Sequence, residues 1–479
     1  MISYNNLEKE GDVSMIGSRH EECGVFGIFD RDGLRIAPLV YYGLFALQHR
    51  GQESCGIAIN NDGWIRCQKN MGLVSEVFTH EMLDSLEGTI AIGHVRYSTT
   101  GASVLSNTQP LVTQYVKGTL SLAHNGNLTN AISLRKALEE EGAFFQTTVD
   151  SEIIAYLVAK ERTRTPSVEA AVEETMKQIQ GGYALLVMSP KKLIAARDPY
   201  GFKPLCMGKI GNSYVFASET CALDAVGAKY ERDVEPGEII VCDENGIRSI
   251  RTHCSGICKM CIFEYIYFAR PDSRIDGKSV YEARLQAGRL LCRQHPVEAD
   301  VVIGVPESGL DAASGFAEES GIPVARGFMK NNYIGRTFIK PEQGQRQEAV
   351  HIKLNPVREA VRGKRVVLID DSIVRGTTMA NIVKMLRDAG ATEVHVRISS
   401  PPFISPCYYG TDVPSCDMLI ACQHTIPEIC EILGADSLGY LEVSSLGDLI
   451  GDTEHAFCDA CFTGNYPNEE TGIDMMKEN

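Results

Sequence analysis

Residues 366–378 read VVLIDDSIVRGTT, and this stretch decides how the C-terminal half of the chain folds. Val366, Val367, Leu368 and Ile369 form a short run of apolar β-formers, as in a strand buried on both faces of a parallel sheet. Asp370 and Asp371 follow directly, then Ser372, Arg375, Gly376, Thr377 and Thr378. Ile382, Met385 and Leu386 are spaced for one face of a helix that Ala389-Gly390 ends. Strand, turn and helix in that order aim backbone N–H groups at an anion near the helix N-terminus. An ordinary βα turn with acidic surface residues would read similarly. Two carboxylates beside a hydroxyl-rich anion loop are better matched to a magnesium ion and a phosphorylated sugar.

Working outward, Val301-Val302-Ile303-Gly304-Val305-Pro306 predicts a second buried strand. It leads through Glu307-Ser308-Gly309-Leu310 into a helix beginning near Asp311. Seen alone, that Pro-Glu-Ser-Gly turn is as compatible with a plain turn as with a site. Ser279 to Leu291 has helical apolar spacing, and a further strand is predicted at about 393–398. Repeated strand–loop–helix units predict a doubly wound sheet. Residues 326–350 are polar, basic and poorly periodic, the character of a lid loop.

The chain has 479 residues, enough for two or three domains with full cores. Its 44% hydrophobic and 23% charged residues are ordinary for a globular protein, and no apolar run is long enough to span a membrane. A net charge of −16 argues against a broad nucleic-acid surface. Anionic substrates must therefore meet a local basic patch, and residues 326–365 offer ten Lys or Arg against three Glu. With no secretory signal and no membrane span, a cytoplasmic location is expected. Sixteen cysteines in such a chain are poorly explained by disulfides, so metal, cluster or catalytic roles gain weight.

Residues 1–22 are polar, mixed in charge and lack the apolar core of a signal peptide. Cys23-Gly24-Val25-Phe26-Gly27-Ile28-Phe29 then predicts a strand that starts at a cysteine. Farther on stand Leu47-Gln48-His49-Arg50-Gly51-Gln52-Glu53, Gly93-His94-Val95-Arg96-Tyr97-Ser98-Thr99, His124-Asn125-Gly126-Asn127-Leu128 and Val149-Asp150-Ser151-Glu152. As an ordered set these blocks resemble the N-terminal-nucleophile, or class II, glutamine amidotransferases over residues 23–250. The resemblance implies that residues 1–22 are a propeptide and that Cys23 becomes residue one. Its thiolate would attack the glutamine side-chain amide, with the freed α-amine as base. Asn125 and Gly126 would supply the oxyanion hole. Arg50 and Arg96 would hold the substrate α-carboxylate, and Asp150 its α-ammonium. His49 and His124 are read as structural, and Cys55 and Cys67 as simply buried.

Apolar alternation continues through Tyr183–Val187, Lys192–Ala196 and Tyr214–Ala217, with helices predicted near 130–141 and 151–162. Ile239 to Cys242 reads as the last strand of this sheet-rich sandwich, with a boundary near 250. Cys254, Cys258 and Cys261 follow, then Cys407, Cys416, Cys422, Cys458 and Cys461. The first three alone could form a small zinc site. The run after Cys261, Ile262 to Ser273, resembles the branch of glutamine phosphoribosyl diphosphate (PRPP) amidotransferases that carries a structural [4Fe–4S] cluster. That resemblance implies Cys261, Cys407, Cys458 and Cys461 as ligands. Cys254 and Cys258 do not fit it, which leaves a zinc site or an alternative first ligand open.

The stretch at 366–378 resembles the PRPP signature of type I phosphoribosyltransferases. Ser308 would join Asp370 and Asp371 around magnesium. Ser372, Arg375, Gly376, Thr377 and Thr378 would bind PRPP, with Arg326, Lys330 and Arg336 near the diphosphate. The expected architecture is an α+β glutaminase sandwich (αββα), followed by a doubly wound α/β phosphoribosyltransferase domain over 251–462 and a polar tail over 463–479. The implied reaction converts glutamine, PRPP and water to phosphoribosylamine, glutamate and pyrophosphate, opening purine biosynthesis. Ammonia would pass between two sites. The resemblance also implies homotetramers and inhibition by purine nucleotides. Rival readings are another class II amidotransferase, disfavoured by 366–378, and a PRPP-binding repressor, disfavoured by the set around Cys23.

Overall fold

The computed structural model describes residues 23–97, 102–330, 354–451 and 457–467. Two antiparallel sheets are built from β1 (Gly24–Phe29), β2 (Ser54–Asn61), β3 (Trp64–Met71), β4 (Ile90–Arg96), β5 (Leu111–Tyr115), β6 (Gly118–Leu128), β7 (Gly181–Ser189), β8 (Lys192–Arg197), β9 (Cys206–Ile210), β10 (Ser213–Ala217), β11 (Lys229–Asp233), β12 (Ile239–Asp243) and β13 (Gly246–Ile250). One sheet runs β11-β9-β10-β1-β4-β2-β3 and the other β13-β12-β8-β7-β6-β5. Alternation of side chains along each strand sends residues to opposite faces. Val25 and Phe29 of β1 meet Ala184, Leu186 and Ile240 of the facing sheet in a core between the sheets. Phe26 and Ile28 point outward and pack under the helix Ile36–Ala46. Helices Ala131–Glu140, Asp150–Arg162 and Val168–Met176 cover the outer face of the second sheet.

The result is the expected αββα sandwich. β1 lies in the middle of its sheet, between β10 and β4, so the cysteine strand is fully interior. Close approach of the layers explains Gly27, where a Cβ would stand 2.9 Å from Leu186 Cδ1. One boundary differs. Ile239–Asp243 is followed by Gly246–Ile250, a further strand hydrogen-bonded to it. Its half-exposed pattern weakens the apolar signal that marks a strand in sequence.

The second half holds a four-stranded parallel sheet in the order Val301–Gly304, Arg365–Asp370, Glu393–Ile398, Ser437–Tyr440. Val302, Val367 and Ile369 face the helices Val280–Gln294 and Gly309–Ser320. Val301, Ile303, Val366 and Leu368 face the helices Thr377–Asp388 and Ile426–Leu433. Burial on both faces is why these strands read as continuous apolar runs rather than alternating ones. Among the described residues no helix is long and apolar enough to cross a membrane.

Candidate functional site

Cys23 opens β1 and is buried, with its thiol donating to the Tyr97 carbonyl at 3.4 Å. Burial pushes that thiol up to about 11, against the opposing pull of the Tyr97 contact and of the Arg96 and Lys203 charges. A base is therefore needed to make the nucleophile. His94 cannot serve, because burial lowers it to about 3 and its Nε2 is engaged 2.9 Å from the His124 carbonyl oxygen. That contact bridges the two sheets. It sets Asn125 and Gly126 of β6 at the same end of the sandwich as Cys23, since His94 pairs with Val25 across β4 and β1.

Asn125 is buried, and among the described residues neither its Oδ1 nor its Nδ2 has a hydrogen-bond partner. Unsatisfied buried amides cost free energy, so this pair, at the same end of the sandwich as Cys23, is suited to bonding a ligand there. Gly126 has φ +143°, and a Cβ there would meet the Gly182 carbonyl oxygen at 2.0 Å. No other residue fits. Asp150 opens the helix Asp150–Arg162, buried, and accepts from the Leu128 amide at 2.9 Å. His124 lies between Asp150, 3.7 Å away, and Ser151, 3.0 Å away, and burial lowers its pKa. Its placement agrees with a structural role. Arg96, at the end of β4, bonds Glu53 at 2.5 Å and the Ala102 carbonyl at 3.3 Å.

Arg50 is bonded within the protein. Its Nε donates to the Cys23 carbonyl at 3.1 Å, Nη1 to Glu219 at 2.5 Å and to Glu264 at 3.0 Å, and Nη2 to Glu264 at 2.5 Å. Arg50 is 1% exposed, Glu219 1% and Glu264 0%. In this structure the guanidinium is shared between two fully buried carboxylates and the Cys23 carbonyl. Arg50 joins the backbone of Cys23 to residue 264 in the other half. Burial opposes the Glu219 carboxylate, but His49 and Arg50 hold it well below the usual range.

In the second half the two anion loops meet. Ser308 Oγ donates to Asp371 Oδ1 at 2.5 Å, and Ser372 Oγ donates to the other oxygen of the same carboxylate. Asp370 Oδ1 accepts from the Asp371 amide at 3.0 Å, and both carboxylates are buried. Glycines make the close approach possible: a Cβ on Gly309 would meet the Ile369 carbonyl at 2.4 Å. Gly376 caps the next helix at φ +81°, with Arg375, Thr377 and Thr378 exposed around it. Lys330 Nζ stands 3.9 Å from Glu307, and Arg326 is exposed. Arg336, residues 1–22 and residues 468–479 lie outside the described residues.

Cys261, Cys407, Cys458 and Cys461 line one cavity together with Phe202, Phe263, Tyr409 and Lys203. A parallel bridge pairs Cys261 with Cys458, and the Cys461 carbonyl accepts from the amides of Ile404 and Ser405. Burial raises the Cys458 thiol to about 12, and burial plus the three neighbouring sulfurs raises Cys461 well above the ordinary thiol value. Among the described residues no three His, Cys, Asp or Glu side chains group as ligands of a metal ion. Cys258 turns away toward Asp276, 3.9 Å from its Oδ2, and neither it nor Cys254 lines the cavity. Contrary to expectation, Cys416 and Cys422 form a disulfide. Six residues of separation bring their Cα atoms to 5.7 Å, inside disulfide range.

Several residues here escape sequence reasoning: Glu219, Glu264, Lys203, Tyr97 and Asp412. Only Glu264 leaves a usable signal, as the lone charge in the run IFEYIYFA, where a buried and paired carboxylate is the physical expectation. The segment bearing Cys407 lies against β6. Asn127 Nδ2 donates to the Tyr408 carbonyl at 3.0 Å, and the rings of Phe202 and Tyr409 stack at 4.2 Å.

Comparison with known proteins agrees with this geometry. Residues 94–225 match the glutamine amidotransferase domain family and residues 287–399 the phosphoribosyl transferase domain family. The amidophosphoribosyltransferase of Archaeoglobus fulgidus is 50% identical over 447 residues, covering 93% of this chain and 98% of the relative. That of Bacillus subtilis is 48% identical over 475 residues, covering 97% and 99%. A solved structure described as the allosteric regulatory enzyme of purine biosynthesis superposes with a TM-score of 0.88 at 47% identity, covering 94% of this chain and 98% of that one. The Bacillus subtilis glutamine PRPP amidotransferase complexed with ADP and GMP gives 0.87 at 46%, covering 94% and 99%. The two domains, the buried nucleophile and the twin anion loops thus have one common explanation: the chain belongs to the amidophosphoribosyltransferase family.

Proposed function

We propose that Cys23 releases ammonia from glutamine and that the loops at 307–309 and 370–378 hold the PRPP it attacks, giving phosphoribosylamine, glutamate and pyrophosphate. The observation behind this reading is the conjunction of a buried cysteine thiol with an orphaned Asn125 amide in one half, and the Ser308–Asp371 contact in the other. The amine of Cys23, once residues 1–22 are removed, takes the thiol proton. Asn125 and the Gly126 amide receive the oxyanion, while Arg96 and Asp150 hold the two ends of glutamine. Arg50 fixes the Cys23 carbonyl and so aims the nucleophile. Oxygen donors from Ser308, Asp370 and Asp371 suit magnesium, which would neutralise diphosphate charge. Ser372, Arg375, Gly376, Thr377 and Thr378 bind the phosphate groups, assisted by Arg326, Lys330 and Arg336.

The domains run 23–250 and 251–462, with 1–22 a propeptide. Intact-mass measurement of active enzyme is expected to find Cys23 first; full activity with Met1 to Glu22 attached would exclude it. Four thiols converging on an apolar cavity fit a [4Fe–4S] cluster, because mutual repulsion and burial disfavour four thiolates without cationic charge. Purine nucleotides act as feedback inhibitors, in keeping with the ADP and GMP held by the Bacillus subtilis enzyme. A homotetramer and a cytoplasmic location complete the reading; sedimentation analysis showing only monomers would remove the tetramer.

The deciding experiment measures glutamate and pyrophosphate release with glutamine or with ammonium salt. Cys23→Ala, in a chain beginning at residue 23, should lose glutamine-dependent synthesis and keep ammonia-dependent synthesis. Asp371→Asn should lower both by about 10²–10³-fold, the usual cost of removing a strong electrostatic contribution. Loss of ammonia-dependent synthesis in folded Cys23→Ala protein would break this division of labour.

A further inference from the structure

Cys416 and Cys422 form the disulfide just described, and the other fourteen cysteines are free thiols. Cys416 is exposed at the start of a short 3₁₀ turn, Cys416–Met418, and Cys422 is half-buried in the following turn, Ile420–Gln423. Neither lines the cavity of the four converging cysteines. Their loop touches the turn after Asp371 at three points. The Ile420 amide donates to the Val374 carbonyl at 2.9 Å. Arg375 Nη2 lies 3.4 Å from Met418 Sδ. Gly376 is seated so closely that a Cβ would fall 2.6 Å from Ile420 Cδ1. Met418 and Ile420, both inside the disulfide ring, are therefore the floor beneath Val374–Gly376.

We propose that Cys416 and Cys422 are a reversible redox modification site that exchanges with small-molecule disulfides, and that its closed state seats the Val374–Gly376 turn for PRPP. The proposal rests on the PRPP reading of that turn. In the closing reaction the exposed Cys416 thiolate attacks a disulfide RSSR. A Cys416–SR bond forms and one RS⁻ departs. The Cys422 thiolate then attacks the Cys416 sulfur, forming the internal bond and expelling the second RS⁻. Both leaving thiolates take up the protons lost by the cysteines, and two electrons pass from protein to reagent. Excess RSH reverses both steps. Opening the ring restores backbone freedom at 417–421, which loosens the support for Val374 and Gly376.

The test uses anaerobic full-length enzyme equilibrated with reduced or oxidised glutathione. Free thiols are alkylated and the 416–422 peptide is mapped by mass, while the visible spectrum monitors any cluster. The expected result is a closed pair in oxidised buffer and an open pair in reduced buffer. The KM for PRPP in ammonia-dependent synthesis should be about 5-fold or more higher in the open form, the lower end of usual coupling between linked sites. Cys416→Ser and Cys422→Ser should show the open-form KM in both buffers. A pair that stays reduced at every glutathione ratio would overturn the site. A KM equal in the two mapped states, or serine variants that still respond to the buffer, would overturn its effect on the turn. If the enzyme does not use PRPP at all, the functional reading fails whatever the peptide map shows.

Discussion

The Tyr97 phenol donates to Asp412 Oδ2 at 3.2 Å, while the carbonyl of the same residue accepts the Cys23 thiol at 3.4 Å. One residue thus touches the nucleophile on one side and, on the other, the segment that carries Cys407. Tyr97→Phe keeps the ring and removes only the hydroxyl. A net hydrogen bond of about 0.5–1.5 kcal/mol corresponds to roughly a 2- to 10-fold effect. PRPP-stimulated glutaminase activity should fall by that amount, with ammonia-dependent synthesis unchanged. Equal losses in the two assays would show that Tyr97 holds the fold rather than the coupling.

Asn125 gives a second prediction. Its amide makes no hydrogen bond among the described residues, so its removal breaks none there. Asn125→Ala should lower glutaminase kcat by about 10²–10³-fold, as for loss of one oxyanion donor. The KM for glutamine and the melting temperature should change little. A raised KM at normal kcat would assign Asn125 to ground-state binding instead.

Arg50 should behave as a structural residue. Arg50→Ala removes the guanidinium that the buried Glu219 and Glu264 carboxylates share, and breaking a buried pair costs about 3–5 kcal/mol. Denaturant unfolding should register it.

The pH dependence follows from Glu219, whose folded pKa lies below its unfolded value. Its contribution is therefore complete above the unfolded value of about 4.3 and is lost as pH falls through the lower folded value. Wild-type stability should decline on acidification across that window. Arg50→Ala should show a shallower decline, with His49 still lowering the Glu219 carboxylate, and identical acid profiles for the two proteins would contradict the assignment.

The four cysteines around the cavity predict an iron-containing, brown protein when purified without oxygen. Cys461→Ser should lose the iron, the colour and part of the stability, because the segment bearing residue 461 would lose a sulfur tie to Cys261 and Cys407 through the cluster. Colourless, fully active wild-type protein holding stoichiometric zinc would refute the cluster.

The strand at Arg365–Asp370, its carboxylates, Gly376 and the helix after it were all legible in VVLIDDSIVRGTT. The cysteine strand was equally legible. These features are local: an apolar run, a glycine where a Cβ has no room, and helical spacing each report on neighbours within a few residues. The set of blocks from 23 to 152 also pointed to the sandwich, because their order is itself a one-dimensional signal.

Tertiary structure alone decided what Arg50 does. Its sequence context shows a guanidinium near a candidate nucleophile, but not that Glu219 and Glu264, 169 and 214 residues away, are waiting for it. The same holds for Tyr97 and Asp412, 315 residues apart, and for Lys203 in the wall of the cysteine cavity. Cys416 and Cys422 are close in sequence, yet composition favoured free thiols; only the fold of the intervening turns shows their Cα atoms within bonding range. The sequence by itself determined the fold of the two halves, because periodicity and glycine placement are written locally, while the reactive residues were named by the resemblance of ordered blocks to known families. Which charges neutralise one another, and which sulfurs meet, was decided by chain closure over hundreds of residues, where burial makes a charge seek its partner and no local pattern records the choice.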